Sequence, residues 1–171
     1  IILRSQAIEL DTRLVTISIN NNKKYKMAQV KWSIDPSHSE INFRVKHLMI
    51  TNVNGKFKNF EGSIYTTDED FSTAEVDLAI DTSSIDTGNE QRDQHLKSAD
   101  FFDVENFKEI NVLLNTIEAV DQDGSYNLYC DITIRDVKHQ VKLQAEFGGI
   151  AKDPWGNVKA GITVNGKLNR K

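Results

Sequence analysis

The sequence predicts an all-β fold, an antiparallel β-barrel of about eight strands with one short helical segment. Apolar and polar residues alternate with a period of two through most of the chain from Trp32 onward. Glycine-bearing turn pairs punctuate those runs. A single stretch, residues 82–107, abandons the alternation. Strands in up-and-down hairpin order favour a barrel over a sandwich.

Residues 1–26 lack the positive, apolar and small-residue regions of a secretory signal. Lys23, Lys24 and Lys26, beside Asn20, Asn21 and Asn22, read as a solvated tail. Met27-Ala28 reads as a natural start, which makes residues 1–26 a non-native or extension segment outside the domain. The domain is then expected to span 27–171 and to be truncated at its C-terminus, because Asn169-Arg170-Lys171 ends inside a strand pattern. A start at Met27 carries no export signal and implies a cytoplasmic protein, with the periplasm as the alternative.

In residues 41–47, Ile41, Phe43, Val45 and His47 share one face, and Asn42, Arg44 and Lys46 the other. A strand with one buried and one wet face requires this pattern. Phe57 is odd in number, whereas Phe60, Gly62 and Ile64 are even, so a bulge is expected near Lys58–Asn59. Val76, Leu78 and Ile80 form the next apolar set. Residues 110–117 are apolar on both faces, since Leu113 and Ile117 oppose Ile110, Val112 and Leu114, which predicts an outer cover for that strand. Leu128, Cys130, Ile132 and Ile134 follow, then Val141, Leu143, Ala145 and Phe147, then Val158, Ala160, Ile162 and Val164.

Asn54-Gly55, Asp123-Gly124 and Asn165-Gly166 read as tight hairpin turns. Gly148-Gly149 and Asp153-Pro154-Trp155-Gly156 read as one longer connection. A helix is expected from about Asn89 to Leu96, with Phe101, Phe102 and Phe107 packing nearby.

A chain of 171 residues suits one domain with a real core. The net charge is −4 with both signs interspersed, which argues against nucleic acid as a partner. No apolar run approaches the roughly 20 residues of a membrane-spanning helix. Cys130 is the only cysteine, so no intrachain disulfide forms, and a lone thiol in an apolar strand reads as packing. His38, His47, His95 and His139 match no zinc spacing, so no metal is expected. No nucleophile elbow, phosphate loop or dinucleotide fingerprint is present, and no carboxylate pair stands out as an acid–base couple.

One stretch is more specific. Trp32, Ile34, Asp35, His38, Ser39, Ile41, Phe43, Val45, His47, Leu48, Gly55 and Phe57 resemble the opening of the YceI-like family. Arg92-Asp93 with His95-Leu96, then Phe101-Phe102-Asp103, resemble its middle. Leu128–Leu143, centred on Thr133-Ile134, and Asp153, Trp155-Gly156 and Asn169-Arg170 resemble its end. Departures are Lys108, where the family usually has proline, and Asp131 and Asp136, where it tends to glycine. The family pattern also continues past Arg170-Lys171 into a further strand. Its absence would leave an open seam in the barrel, and such an edge invites pairing with a second copy as a homodimer.

The resemblance implies a lipocalin-like barrel that holds a polyisoprenoid or quinone-like lipid and needs no other cofactor. The tunnel wall is then expected from the inward sets: Phe43, Val45, His47, Val76, Leu78, Ile80, Val112, Leu114, Leu128, Ile132, Leu143, Phe147, Ile162 and Val164. His47, Arg92 and His95 are the head-group candidates, and His38 is a further polar candidate. Arg92, Asp93 and His95 are equally compatible with fastening the helix to the barrel. Periodicity does not distinguish a hollow interior from a filled one. Three functions stay open: a lipid carrier without catalysis; a hydrolase or isomerase of a lipid-like substrate using His47, His95 or Asp93; and a ligand-free interaction module with a filled core.

Overall fold

The computed structural model describes residues 7–19, 29–47, 51–121 and 124–169, with side chains for 29–46, 52–121 and 124–168. Met27, Leu48, Asp123, Arg170, Lys171 and the His47 side chain lie outside the described residues.

The strands are Ala7–Ile19 (β1), Gln29–Ile34 (β2), Ile41–His47 (β3), Thr51–Phe57 (β4), Phe60–Thr67 (β5), Asp70–Asp81 (β6), Ile85–Asp86 (β7), Glu109–Ala119 (β8), Ser125–Ile134 (β9), Val137–Lys152 (β10) and Val158–Asn169 (β11). One helix, Glu90–Lys97 (α1), follows β7. Pairing runs β11-β10-β9-β8-β6-β5-β2-β1, and β1 pairs in turn with β11, so this curled antiparallel sheet closes on itself. β3, β4 and β7 extend it from the opposite side of β1. This is the all-β barrel with one helix that the alternation predicts.

β2 and β3 behave as one strand with a break. Ile34 pairs with Ile17 and Asn42 with Asp11, so eight residues on one side match six on the other. The surplus falls in the loop 35–40, after which β3 turns to β4 while β2 stays beside β5.

Several expectations change. Residues 7–19, expected to lie outside the domain, form β1, which pairs with β11 from Ala7↔Asn169 to Ser18↔Lys159. The edge of β11 is therefore covered, and the open seam expected there is absent. Asn54-Gly55 and Asn165-Gly166 are not turns but lie inside β4 and β11. Each glycine is pressed by a side chain from the facing strand: a Cβ on Gly55 would run into Phe43 Cζ, and one on Gly166 into Leu143 Cδ2. Gly148-Gly149 lies within β10, where the register shifts between Phe147 and Gly149.

Lys58 and Asn59 separate β4 from β5, a local break at the expected place. Among the described residues none covers the outer face of β8, where Leu113 is 50% exposed. Its apparent second apolar face arises from a bulge between Leu114 and Thr116 that turns Ile117 to the interior.

The buried residues form two clusters. Toward the β10–β11 hairpin, Trp32, Ile64, Phe71 and Ala160 pack together. Toward the helix, Ile41, Phe43, Phe57, Ile80, Ile85, Ile110, Ile132 and Leu168 do so. Burying each large apolar side chain is worth about 1.5–3 kcal/mol.

Candidate functional site

Strand parity aims one face of each ring strand inward, and between the two core clusters those faces meet around a cavity of about 180 Å³. β6 contributes Val76, Leu78 and Ile80, and β8 contributes Val112, Leu114 and Ile117. β9 contributes Leu128, Cys130 and Ile132. β10 and β11 complete the wall with Leu143, Ala145, Phe147, Ile162 and Val164. The inward residues expected on β6 and β8–β11 therefore share one space.

Phe43 and Val45 do not line it. They belong to the helix-side cluster, where Phe43 lies 5.5 Å from Phe57 and Phe57 lies 5.9 Å from Phe102. The break at 35–40 carries β3 past the cavity, so parity alone misplaces its inward face.

Sequence reasoning missed Ile34, Phe60, Phe71, Ala74 and Tyr126 as lining residues. Tyr126 was legible, because it continues the parity of Leu128 and Cys130. Phe71 was not, because polar neighbours surround it at the start of β6.

Tilted aromatic rings pack at one end of the cavity. Trp32 is fully buried, 4.9 Å from Phe71, which lies 4.9 Å from the lining residue Phe147. The indole N–H donates to Thr66 Oγ1 at 2.8 Å, and that hydroxyl donates to the Asp68 carbonyl at 2.6 Å. Its one polar atom is thus satisfied, as burial demands. The far end is bounded by Ile41, Ile80 and Ile132 of the helix-side cluster.

Polar chemistry inside is sparse. Tyr126 brings a phenol by parity, whereas Asn165 faces outward between Val164 and Gly166. Burial pushes the Cys130 thiol up to about 11, with the Asp131 charge adding to it. The thiol is therefore neutral at physiological pH and a poor nucleophile.

Of the head-group candidates, Arg92 and His95 lie elsewhere, and the His47 side chain is outside the described residues. Arg92 Nε donates to Thr87 Oγ1 at 2.7 Å, and a terminal guanidinium nitrogen donates to the Thr87 carbonyl at 2.9 Å. Thr87 donates its hydroxyl to Asp93 Oδ1 at 2.5 Å and its backbone N–H to the same atom at 3.0 Å. Asn89 caps the helix by accepting the Arg92 N–H at 2.9 Å. Arg92 and Asp93 thus fasten α1 to the segment after β7. His95 is exposed, edge-on to Phe101 at 4.9 Å and 3.4 Å from Asp100. Neither Arg92 nor His95 lines the cavity.

His38 also sits outside, with its Nδ1 2.9 Å from Asp35 Oδ2. Lys159 Nζ reaches the same oxygen at 3.2 Å. The His38 hydrogen bond is the main cause holding the Asp35 carboxyl below its ordinary value. This cluster ties the β2–β3 break across β1 to β11. Among the described residues no group of three or more His, Cys, Asp or Glu is placed to hold a metal. A larger surface cleft, about 640 Å³, has a mixed lining in which Glu61, Asp81, Glu105 and Glu109 stand beside Lys108, Phe60 and Val104.

The model of the YceI-like domain matches residues 32–171. A UPF0312 protein of Staphylococcus aureus (strain USA300) is 36% identical over 140 residues, which is 81% of this chain and 78% of that protein. Among solved structures, the Campylobacter jejuni YCEI protein superposes with a TM-score of 0.61 at 26% identity, covering 87% of this chain and 95% of that one. A mutant CJ YCEI protein with a monobromobimane guest reaches 0.65 at 31% identity, covering 86% and 81%. BcnA of Burkholderia cenocepacia shares the fold, with a TM-score of 0.56 at 13% identity over 95% and 96% of the two chains.

Proposed function

The chain belongs to the YceI-like family, and on that premise we propose that it binds a polyisoprenoid or isoprenoid-quinone-like lipid inside its barrel and sequesters or carries it without chemical change. The observation that carries this reading is the cavity wall, apolar on every contributing strand, with Tyr126 as its polar side chain. Burying each CH₂-sized unit of a prenyl chain is worth roughly 0.8 kcal/mol. Such a ligand needs few polar contacts, and the wall offers few. The neutral Cys130 thiol and the outward Arg92, Asp93 and His95 suit binding better than turnover.

The volume limits how the lipid is held. A cavity of about 180 Å³ falls below the roughly 300–1,000 Å³ typical of sites that bury a drug-sized ligand. A long chain therefore has to part the walls or leave one end outside. The same observation favours a second reading, a barrel whose side chains fill it and whose partner is a protein.

Mass spectrometry of a solvent extract from the purified protein tests the proposal. A stoichiometric prenyl lipid or quinone is the expected result. A folded sample that yields none, and that also refuses added prenyl alcohol and quinone, would overturn it in favour of the filled barrel.

A further inference from the structure

The β10–β11 hairpin carries a side chain that the barrel does not use. Trp155 is 83% exposed, whereas Trp32 is 0% exposed. An indole pairs a large apolar body with one polar N–H, so an exposed tryptophan offers a broad amphipathic surface for a contact. The hairpin also reaches outward. β10 leaves β9 at Glu146↔Ser125 and runs on to Lys152.

The backbone N–H groups of the turn are paired within it. Asp153 N–H donates to the Asn157 carbonyl at 2.9 Å, and Gly156 N–H to the Asp153 carbonyl at 3.0 Å. Trp155 N–H and Asn157 N–H both donate to Asp153 Oδ1 at 2.9 Å. Pro154 has no N–H. Every backbone donor from 153 to 157 is therefore satisfied within the turn. Unsatisfied N–H groups are one part of what keeps ordinary loops out of an apolar medium, and residues 153–157 leave none. Below the tip, Ile150 and Val158 pack on the cluster that holds Trp32, and Phe147 and Ile162 of the same two strands reach the cavity. Apolar side chains thus run from the base of the turn to the interior.

We infer that the Asp153–Asn157 turn docks on the surface of a lipid bilayer, with the Trp155 indole seated among the headgroups. An indole pairs an apolar body with one N–H, which suits the membrane–water boundary. The Asp153 carboxylate, held ionised by the Asn157 and Trp155 hydrogen bonds, keeps the turn at headgroup depth. The turn at Asp68, Glu69 and Asp70 lies at the same end of the barrel and is exposed. The inference rests on the lipid-carrying reading for its purpose but has a readout of its own.

The two tryptophans supply that readout. Emission from the intact protein is followed as phosphatidylcholine vesicles are added, with and without brominated acyl chains. The indole in water shifts to the blue and is quenched by the brominated lipid, while Trp32 contributes a constant background. Trp155→Ala is expected to weaken vesicle co-sedimentation by at least about tenfold with unchanged circular dichroism and an unchanged solvent extract. Unaltered emission and quenching in the native protein would overturn the inference, as would a Trp155→Ala variant that sediments like the parent. Since the extract is measured separately, loss of docking and loss of the lipid-carrying reading are told apart.

Discussion

Gly55 and Gly166 occupy the same kind of position with different neighbours. Gly55 lies under the Phe43 ring, with three ring atoms within 2.9 Å of where a Cβ would stand. That ring is held against Phe57 and cannot retreat. Gly166 meets the end of Leu143, which borders the cavity and has space to rotate into. Gly55→Ala is therefore expected to cost about 1–3 kcal/mol, and Gly166→Ala clearly less; paired urea melts check the ranking. Asn-Gly is the strongest short hairpin signal, yet at both places it marks a close approach of strands. A contact made across the sheet leaves no local trace in the sequence. Cys130 gives a prediction with a definite sign. Its folded value is raised from 9.0 to about 11, so the fold favours the neutral thiol, and its contribution is fully present below 9 and lost as pH climbs toward 11. The stability difference between the parent and Cys130→Ala should shrink across that window in melts at stepped pH. A constant difference would mean that the thiol does not titrate there.

At the scale of elements, the helix was legible and its purpose only partly so. Asn89 as cap and a short polar run set α1 within a residue or two of expectation. Whether Arg92 and Asp93 served a ligand or the fold depended on Thr87, whose side chain sits between them. Asp93→Ala is expected to lower the melting temperature by an amount equivalent to about 1–3 kcal/mol, because the Thr87 N–H and the guanidinium lose their order. The lipid content of the same variant should not change, and a proportional loss of lipid would put the head group at α1 after all. β8 teaches a similar lesson. Its two apolar faces suggested an outer cover, whereas a bulge after Leu114 reverses parity and brings Ile117 inside. Period-two counting assumes an unbroken ladder, and one extra residue is enough to defeat it.

For the whole molecule, the barrel class followed from alternation, but the hollow did not, because inward apolar residues look alike around a cavity and within a core. Ala145 is the discriminating residue, 5% exposed and on the cavity wall. Ala145→Leu adds three carbons to the space, and burying them offers up to roughly 0.8 kcal/mol each. The variant is expected to melt at or above the parent temperature and to lose extractable lipid. A destabilised variant would show that the interior is already full. The ring is also joined in an order that the hairpins do not suggest. β1 is the first described strand and β11 the last, and Ala7 lies opposite Asn169. Every other neighbour pair in the ring can zip as soon as its second member appears, whereas this one links positions separated by nearly the whole chain. Domains assemble while synthesis proceeds at about 5–20 residues per second, and distant pairings form slowest. On the ribosome the protein is consequently an unrolled sheet with two raw edges, and it becomes a vessel only after β11 has emerged from the exit tunnel.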